Sequence, residues 1–450
     1  IKIPGLGLGP FGQWFNRHET WAEQAKPWTD YLSRSSYMLQ QGKFVADVVY
    51  YYGEDNNITS LFGNKLPDVP KGYNYDFVNT DALIRLLAVK DGRIITPSGM
   101  SYRLLVLDSN ASKMTLPVLR KIRDLVKAGA TISGVKPEST SSLSDDKSMF
   151  VNLVNEVWNA NNSKVITNKS IPEVLTELKV SRDFTYSKPA TDTNKLLYVH
   201  RKLADKDIYW VNNRSNSFQD LEAIFRVDGK VPQLWFAETG KTEPLSYSIA
   251  NGVTNVKLHM EPHDALFIVF GGKAIKASVE LPAVKVKVLA PINGEWNINF
   301  QKDRGAPASL KINELHSLSD NTNTGIKYFS GTATYTKTIT APATWFNKDE
   351  ELWLNLGDLK NLAEVIVNGK SFGTLWKKPF RVDITSALKP GSNTLVVKVT
   401  TLWVNRLIGD VQPGITKKIT YTTMPFYQAN SKLLPSGLLG PVQIIAVNRK

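Results

Sequence analysis

Few stretches of this chain carry residues whose types and spacing could do chemistry. His259-Met260-Glu261-Pro262-His263 sets two histidines four apart around a glutamate. On one helix face that spacing would suit a zinc ion. Pro262 sits between two strand-like runs and denies the helix, so a loop is expected. Asp108-Ser109-Asn110-Ala111-Ser112 follows an apolar run, where a parallel sheet could present a nucleophile. No Gly-x-Ser-x-Gly frames Ser109, and the next histidine is His200. A structural turn is expected there. Gly5, Gly7 and Gly9 form a GxGxG with no strand before it, which is weak ground for a phosphate loop. The absence of cysteine excludes disulfides, thiolate metal sites and a thiol nucleophile.

Carboxylates and aromatics offer a different chemistry. Two carboxylates roughly 5–10 Å apart can flank a glycosidic bond. Glu54-Asp55 ends the first strand of the expected sheet, and Glu19 and Glu23 lie in a helix near the start. Capping or solvation accounts for each of them equally well. Of eleven tryptophans, Trp296, Trp345, Trp353, Trp376 and Trp403 lie beyond residue 273. Their faces could stack on a sugar ring or fill a sandwich core, and both readings stay open.

At 450 residues the chain exceeds one core, and about three domains are expected. With 42% apolar and 21% charged residues it is ordinary globular material, without an apolar run long enough for a membrane helix. It starts at Ile1 without a basic and then apolar leader, which suggests a mature or trimmed chain. The net charge of +14 raises nucleic acid as a partner. Residues 274–450 hold 22 Lys and Arg against 12 Asp and Glu, scattered over strands and turns without a basic helix. A solvated surface that guards strand edges is the expected use, with no nucleic-acid partner.

The elements that must position these groups follow in order. Residues 1–12 read as loop. Thr20–Gln41 is predicted as one helix, with Thr20 and Glu23 as a capping box and Gly42 after its end. From Lys43, strand and helix alternate: strands at 44–52, 74–78, 102–107 and 130–135, helices at 80–87, 116–128, 145–159 and 171–178. That alternation predicts a flavodoxin-like parallel α/β domain. Near 189–194 the pattern turns all-β, with strands at 196–201, 208–211, 221–226, 253–258 and 265–270 forming a small β-sandwich. A connector at 273–288 leads to the last domain. There Leu352, Leu354 and Leu356 alternate with polar or half-polar positions. Asn368-Gly369 fits a type I′ hairpin after Glu364–Val367, and further strands follow at 380–384 and 395–399. An antiparallel, jelly-roll-like sandwich is expected.

Taken together, residues 11–57, 71–83, 128–143, 329–339, 352–410 and 436–442 resemble the C-terminal half of bacterial glycoside hydrolases of family 106, the α-L-rhamnosidases. The resemblance implies four parts. Residues 1–42 would be the last loop and helix of a catalytic (β/α)₈ barrel otherwise not present. Residues 43–192 would be a degenerate amidotransferase-like domain, 193–273 a small β-sandwich, and 274–450 a galactose-binding-like sandwich. It implies an inverting α-L-rhamnosidase acting on plant polysaccharide, in the periplasm or secreted. The partner would be a rhamnose-containing glycan, with the barrel as intramolecular partner. The family's catalytic carboxylates and calcium belong to that barrel, so no catalytic residue, metal ligand or cofactor is expected within these residues. By resemblance Asn16, Arg17 and Trp21 face the cleft or pack at the barrel's closing seam. With Glu54 and Trp376 they make the candidate substrate-binding set. A non-catalytic carbohydrate-binding or scaffolding role is the alternative.

Overall fold

The structure, a computed structural model, describes residues 15–54, 67–159, 162–187, 196–422 and 425–449. Gly5, Gly7, Gly9, Asp55 and the all-β boundary at 188–195 lie outside the described residues. The chain forms two compact units: Ser35–Glu280, and Leu281–Lys450 together with the residues up to Arg34.

In Ser35–Glu280, five parallel strands lie side by side: Tyr75–Val78, Val48–Tyr51, Leu104–Leu107, Ile132–Gly134 and Val165–Ile166. The second strand in sequence comes first, and the remaining four follow in chain order. This is the flavodoxin-like doubly wound order. Val48–Tyr51 and Leu104–Leu107 are buried at every position because both faces are covered. Alternate residues serve opposite faces. Val49, Tyr51, Leu105 and Leu107 pack with Leu83, Val118 and Ile122, while Val48, Tyr50, Leu104 and Val106 pack with Val174 and Leu175. The helices are Thr80–Leu86, Leu116–Lys127, Lys147–Val157 and Ile171–Glu177. Lys147–Val157 begins two residues later than the sequence pattern suggests because the Asp146 side chain caps it, accepting from Met149 N–H.

Two sequence expectations are corrected. The run 44–52 is not one strand. Lys43–Phe44 pairs antiparallel with Leu196–Lys202 of the β-sandwich, and Val48–Tyr51 enters the parallel sheet. Between them lies Asp47, a 3% exposed carboxylate. Nor is Thr20–Gln41 one helix: a 3-10 turn at Ala22–Gln24 precedes the α-helix Lys26–Gln40. Pro27 has no N–H to donate to the preceding turn, so it is tolerated only in the first turn of the second helix. Thr20 caps nothing; its buried hydroxyl has no partner.

The sandwich of this unit has a six-stranded and a five-stranded sheet. Tyr209, Phe225, Met260 and Phe270 are fully buried between them. Lys230–Trp235, Thr242–Pro244 and Tyr247–Ala250 are strands that the sequence pattern did not reveal. Pro232 and Pro244 argue against strand in sequence, and both segments lie toward the edge of their sheet.

In the other unit a four-stranded sheet (Lys285–Pro291, Gln443–Asn448, Glu350–Asn355, Arg381–Asp383) faces a six-stranded one. The latter is ordered Ser309–Ile312, Trp296–Phe300, Thr332–Ala341, Gly391–Thr400, Leu362–Val367 and Lys370–Leu375. Leu352, Leu354 and Leu356 are at most 1% exposed, as their alternation predicts. Asn368 and Gly369 take φ of 49° and 83° in the hairpin between Leu362–Val367 and Lys370–Leu375. The helix Val404–Gly409 is buried throughout, and its Arg406 pairs at 3.0 Å with Asp410, the buried residue at its C-terminal end. Among the described residues, no helix is long and apolar enough to cross a membrane.

Candidate functional site

Residues 15–34 belong to the same unit as the large sandwich, and its buried Trp403 fixes them there. The indole Nε1–H of Trp403 donates to His18 O at 2.8 Å, and the Arg304 guanidinium lies over its ring at 4.7 Å. The turns that follow carry the candidate residues. Asn16 Oδ1 accepts from His18 N–H at 2.8 Å, which orders that turn, and Arg17 is exposed. Trp21 meets Trp28 edge-on at 6.1 Å, and Phe15, 64% exposed, lies 5.4 Å and 5.1 Å from the two indoles. Trp376 meets Tyr31 at 5.2 Å.

The same turns hold polar atoms without partners. Glu19 is 7% exposed, and its Oε2 has no hydrogen bond; nor do Thr20 Oγ1 and Gln24 Oε1. Burial pushes the Glu19 carboxyl up to about 7, so near neutrality it can be a proton donor as well as an acceptor. Buried polar atoms left without partners are uncommon and costly. Three of them fall on consecutive turns, close to the exposed ring of Phe15. Sequence reading took Glu19 only as one carboxylate among several. Its raised pKa depends on burial, which no local pattern announces. Glu23, four residues on, is exposed.

The tryptophans divide by role. Trp296 and Trp403 are 1% exposed, and Trp345 packs against the sandwich core, so these serve the fold. Trp353 is half-buried and donates from Nε1 to Glu351 at 3.0 Å. Trp376 keeps partial exposure.

Glu54 is in the other unit, Ser35–Glu280. It follows the first strand of the parallel sheet, at the carboxyl-end crevice where doubly wound folds bind ligands. There it accepts Thr115 N–H at 2.6 Å and Thr115 Oγ1–H at 2.8 Å, closing the N-terminus of Leu116–Lys127 with its own carboxylate. Across the crevice Asp108 accepts from Tyr50 OH at 2.6 Å and Asn110 N–H at 2.8 Å. Ser109 lies in a 3-10 turn and has only Asp108 as side-chain partner, at 3.4 Å. It is a structural turn, as expected.

The two histidines of 259–263 do not share a ligand. His259 ends Val253–Met260 and Nδ1 lies 2.6 Å from Asp220; its bond to Glu261, and then Asp220, raises it to about 9. A doubly protonated ring offers no lone pair to a metal. His263, at φ 57°, turns to Asn216 at 3.0 Å. Among the described residues no three His, Asp or Glu are grouped to hold a metal ion.

A buried charge network in Ser35–Glu280 was not foreseen. Arg226 donates from Nη1 and Nη2 to Asp47 at 3.2 and 3.0 Å and to Ser181 O at 2.7 Å, and lies 3.4 Å from Asp183. Asp183 accepts from Tyr209 OH at 2.9 Å and faces His200 Nδ1 at 3.0 Å. His200 Nε2 meets Asp207 at 3.0 Å, and Lys230 completes the chain at 2.7 Å. With a carboxylate at each ring nitrogen, His200 is held as imidazolium: burial alone would lower its pKa, but Asp183 and Asp207 outweigh it. The signals were a lone aspartate within Phe44–Tyr52 and a lone histidine within Leu196–Arg201.

Comparison with known proteins follows these lines. The family model for glycoside hydrolase family 106, α-L-rhamnosidase, matches residues 1–249. The galactose-binding domain-like model of family 2 glycosyl hydrolases matches residues 311–418. The solved structure of a rhamnosidase from Novosphingobium sp. PP1Y superposes with a TM-score of 0.92 at 42% identity, over 99% of this chain and 43% of that one. A Formosa agariphila protein named "Putative beta-glucuronidase" is 26% identical over 98% of this chain and 58% of its own length. The chain thus spans about half the length of these relatives.

Proposed function

Because the chain belongs to glycoside hydrolase family 106, the α-L-rhamnosidases, we propose that it serves an inverting α-L-rhamnosidase acting on plant polysaccharide. In this reading these 450 residues supply accessory and sugar-binding parts. The observation that carries it is the likeness to the Novosphingobium rhamnosidase over almost the whole chain. Inversion needs a carboxylic acid on one side of the bond and a carboxylate base on the other. Glu19 has the pKa of the first, but Glu23 is exposed on the following turn, and no described carboxylate stands opposite as the second. We therefore assign Asn16, Arg17, Trp21 and Trp376 to sugar contact and place the bond-breaking carboxylates in a barrel that these residues would close. The same reading puts the protein in the periplasm or outside the cell, where polysaccharide is met.

The test is an assay of the 450-residue chain on aryl α-L-rhamnoside and aryl β-glucuronide, beside calorimetric titration with rhamnose-containing pectin oligosaccharides. The expected result is no turnover of either glycoside, and oligosaccharide binding weakened about tenfold by Trp21→Ala or Trp376→Ala, the loss of a single stacked ring on the scale of about 1–3 kcal/mol known for nucleic-acid bases. Hydrolysis of the rhamnoside would overturn the assignment of the carboxylates. Absence of sugar binding would leave these domains a structural role.

A further inference from the structure

At the end of the parallel sheet opposite Glu54 lies a cavity of about 970 Å³ within Ser35–Glu280. Its walls come from residues just ahead of the strands (Lys43 to Asp47 before Val48–Tyr51, Arg103 before Leu104–Leu107), from the hairpin bearing Arg93 and Ser101, and from the sandwich strand ending at Lys202. Lys179, after the helix Ile171–Glu177, completes one side.

The charge of this wall is one-sided. Lys43, Arg93, Arg103, Lys179 and Lys202 line it, and none of the five forms an ion pair among the described residues. The two carboxylates present do not balance them. Asp47 is already bound by both terminal nitrogens of Arg226, and Asp205 lies beside Lys206 at 4.0 Å. Arg93 is held rather than free: Nε donates to Ser101 Oγ at 2.6 Å and Nη2 to Ser101 O at 3.3 Å, which aims the remaining guanidinium donors. Burial, and then the neighbouring Arg103, lower its pKa and outweigh the opposing pull of Asp47. Converging cations repel, and a fold keeps such a wall at a cost unless something negative occupies it. A fixed guanidinium with two N–H donors in one plane matches a carboxylate, sulfate or phosphate.

We propose that this cavity is an oxyanion-binding site, taking a carboxylate, sulfate or phosphate group through Arg93 and Arg103, with Lys43, Lys179 and Lys202 around it. The ligand is either a free ion or an anionic group borne on a saccharide. The inference is independent of glycoside cleavage and of the sugar contacts assigned to Trp21 and Trp376.

The experiment titrates the 450-residue chain with inorganic sulfate and, separately, with a galacturonate oligosaccharide, by calorimetry at constant ionic strength. Wild type is compared with the double variant Arg93→Gln, Arg103→Gln and with Lys43→Gln, Lys202→Gln on the exposed rim, each checked for folding by circular dichroism. At least one probe is expected to bind wild type, with affinity at least tenfold lower in the arginine variant and severalfold lower in the lysine variant. Sulfate as the tighter probe identifies the source as a free ion; the oligosaccharide as the tighter one identifies a saccharide. If neither probe binds wild type, or binding is unchanged in both folded variants, the proposal is wrong.

Discussion

His200 shows how one buried side chain can set a pH limit. Its ring is clamped between Asp183 and Asp207, with Tyr209 stacked at 3.9 Å and Arg226 and Lys230 pairing the far sides of the carboxylates. Folded His200 keeps its proton to a higher pH than the unfolded residue, whose pKa is near 6.5. Its stabilisation is therefore complete below pH 6.5 and is lost as pH rises through the raised value. His200→Gln is expected to cost about 3–5 kcal/mol at pH 6, because two buried carboxylates lose their partner. It should also flatten the decline in stability between pH 6 and 9. Urea unfolding at both pH values checks this, and equal pH slopes in the two proteins would sink the idea. Glu19 works in the same direction. Its carboxyl is raised from 4.5 to about 7, so its favourable contribution is present below pH 4.5 and fades as pH rises through 7. Glu19→Gln is expected to remove a loss on the order of 2–3 kcal/mol across that window. Thermal melts from pH 4 to 8 would show the variant gaining on wild type as pH rises.

Elements differ in how far sequence reveals them. The helix Leu116–Lys127 was legible because its apolar spacing, Pro117 and Gly129 agree on period, start and stop. The Asn368-Gly369 hairpin was legible because only residues tolerant of positive φ fit there. The N-terminal helix was misread because its aromatic spacing masked the break at Pro27. What sequence could not show is the partner of Glu54. A carboxylate after a strand looks like a catalytic candidate until its acceptors are found occupied by Thr115, 61 residues on. Removing it opens the N-terminus of Leu116–Lys127. Glu54→Ala is expected to lower stability by about 1–2 kcal/mol and to leave oligosaccharide affinity unchanged. Chemical denaturation and calorimetry of the one variant read both; a loss of affinity in a folded variant would return Glu54 to the sugar site.

For the whole molecule, architecture was more legible than chemistry. Strand–helix alternation and turn residues report local backbone preferences, which a sequence carries in every window. The exposed turns at 15–24, the network through His200 and the cationic cavity depend on residues far apart in the chain, and each needed the fold before it could be seen. The parallel sheet and the small sandwich have separate apolar cores, but the chain does not divide between them where the pattern changes near 190. The short strand Lys43–Phe44 belongs to a sheet whose next strand, Leu196–Lys202, is made some 150 residues later. During synthesis the ribosome therefore releases that edge strand long before its neighbour exists, and the sandwich closes only after the whole α/β segment has emerged. Cutting the gene at the apparent boundary would leave each half with an open edge: one with an orphaned strand, the other with an unpaired sheet prone to self-association.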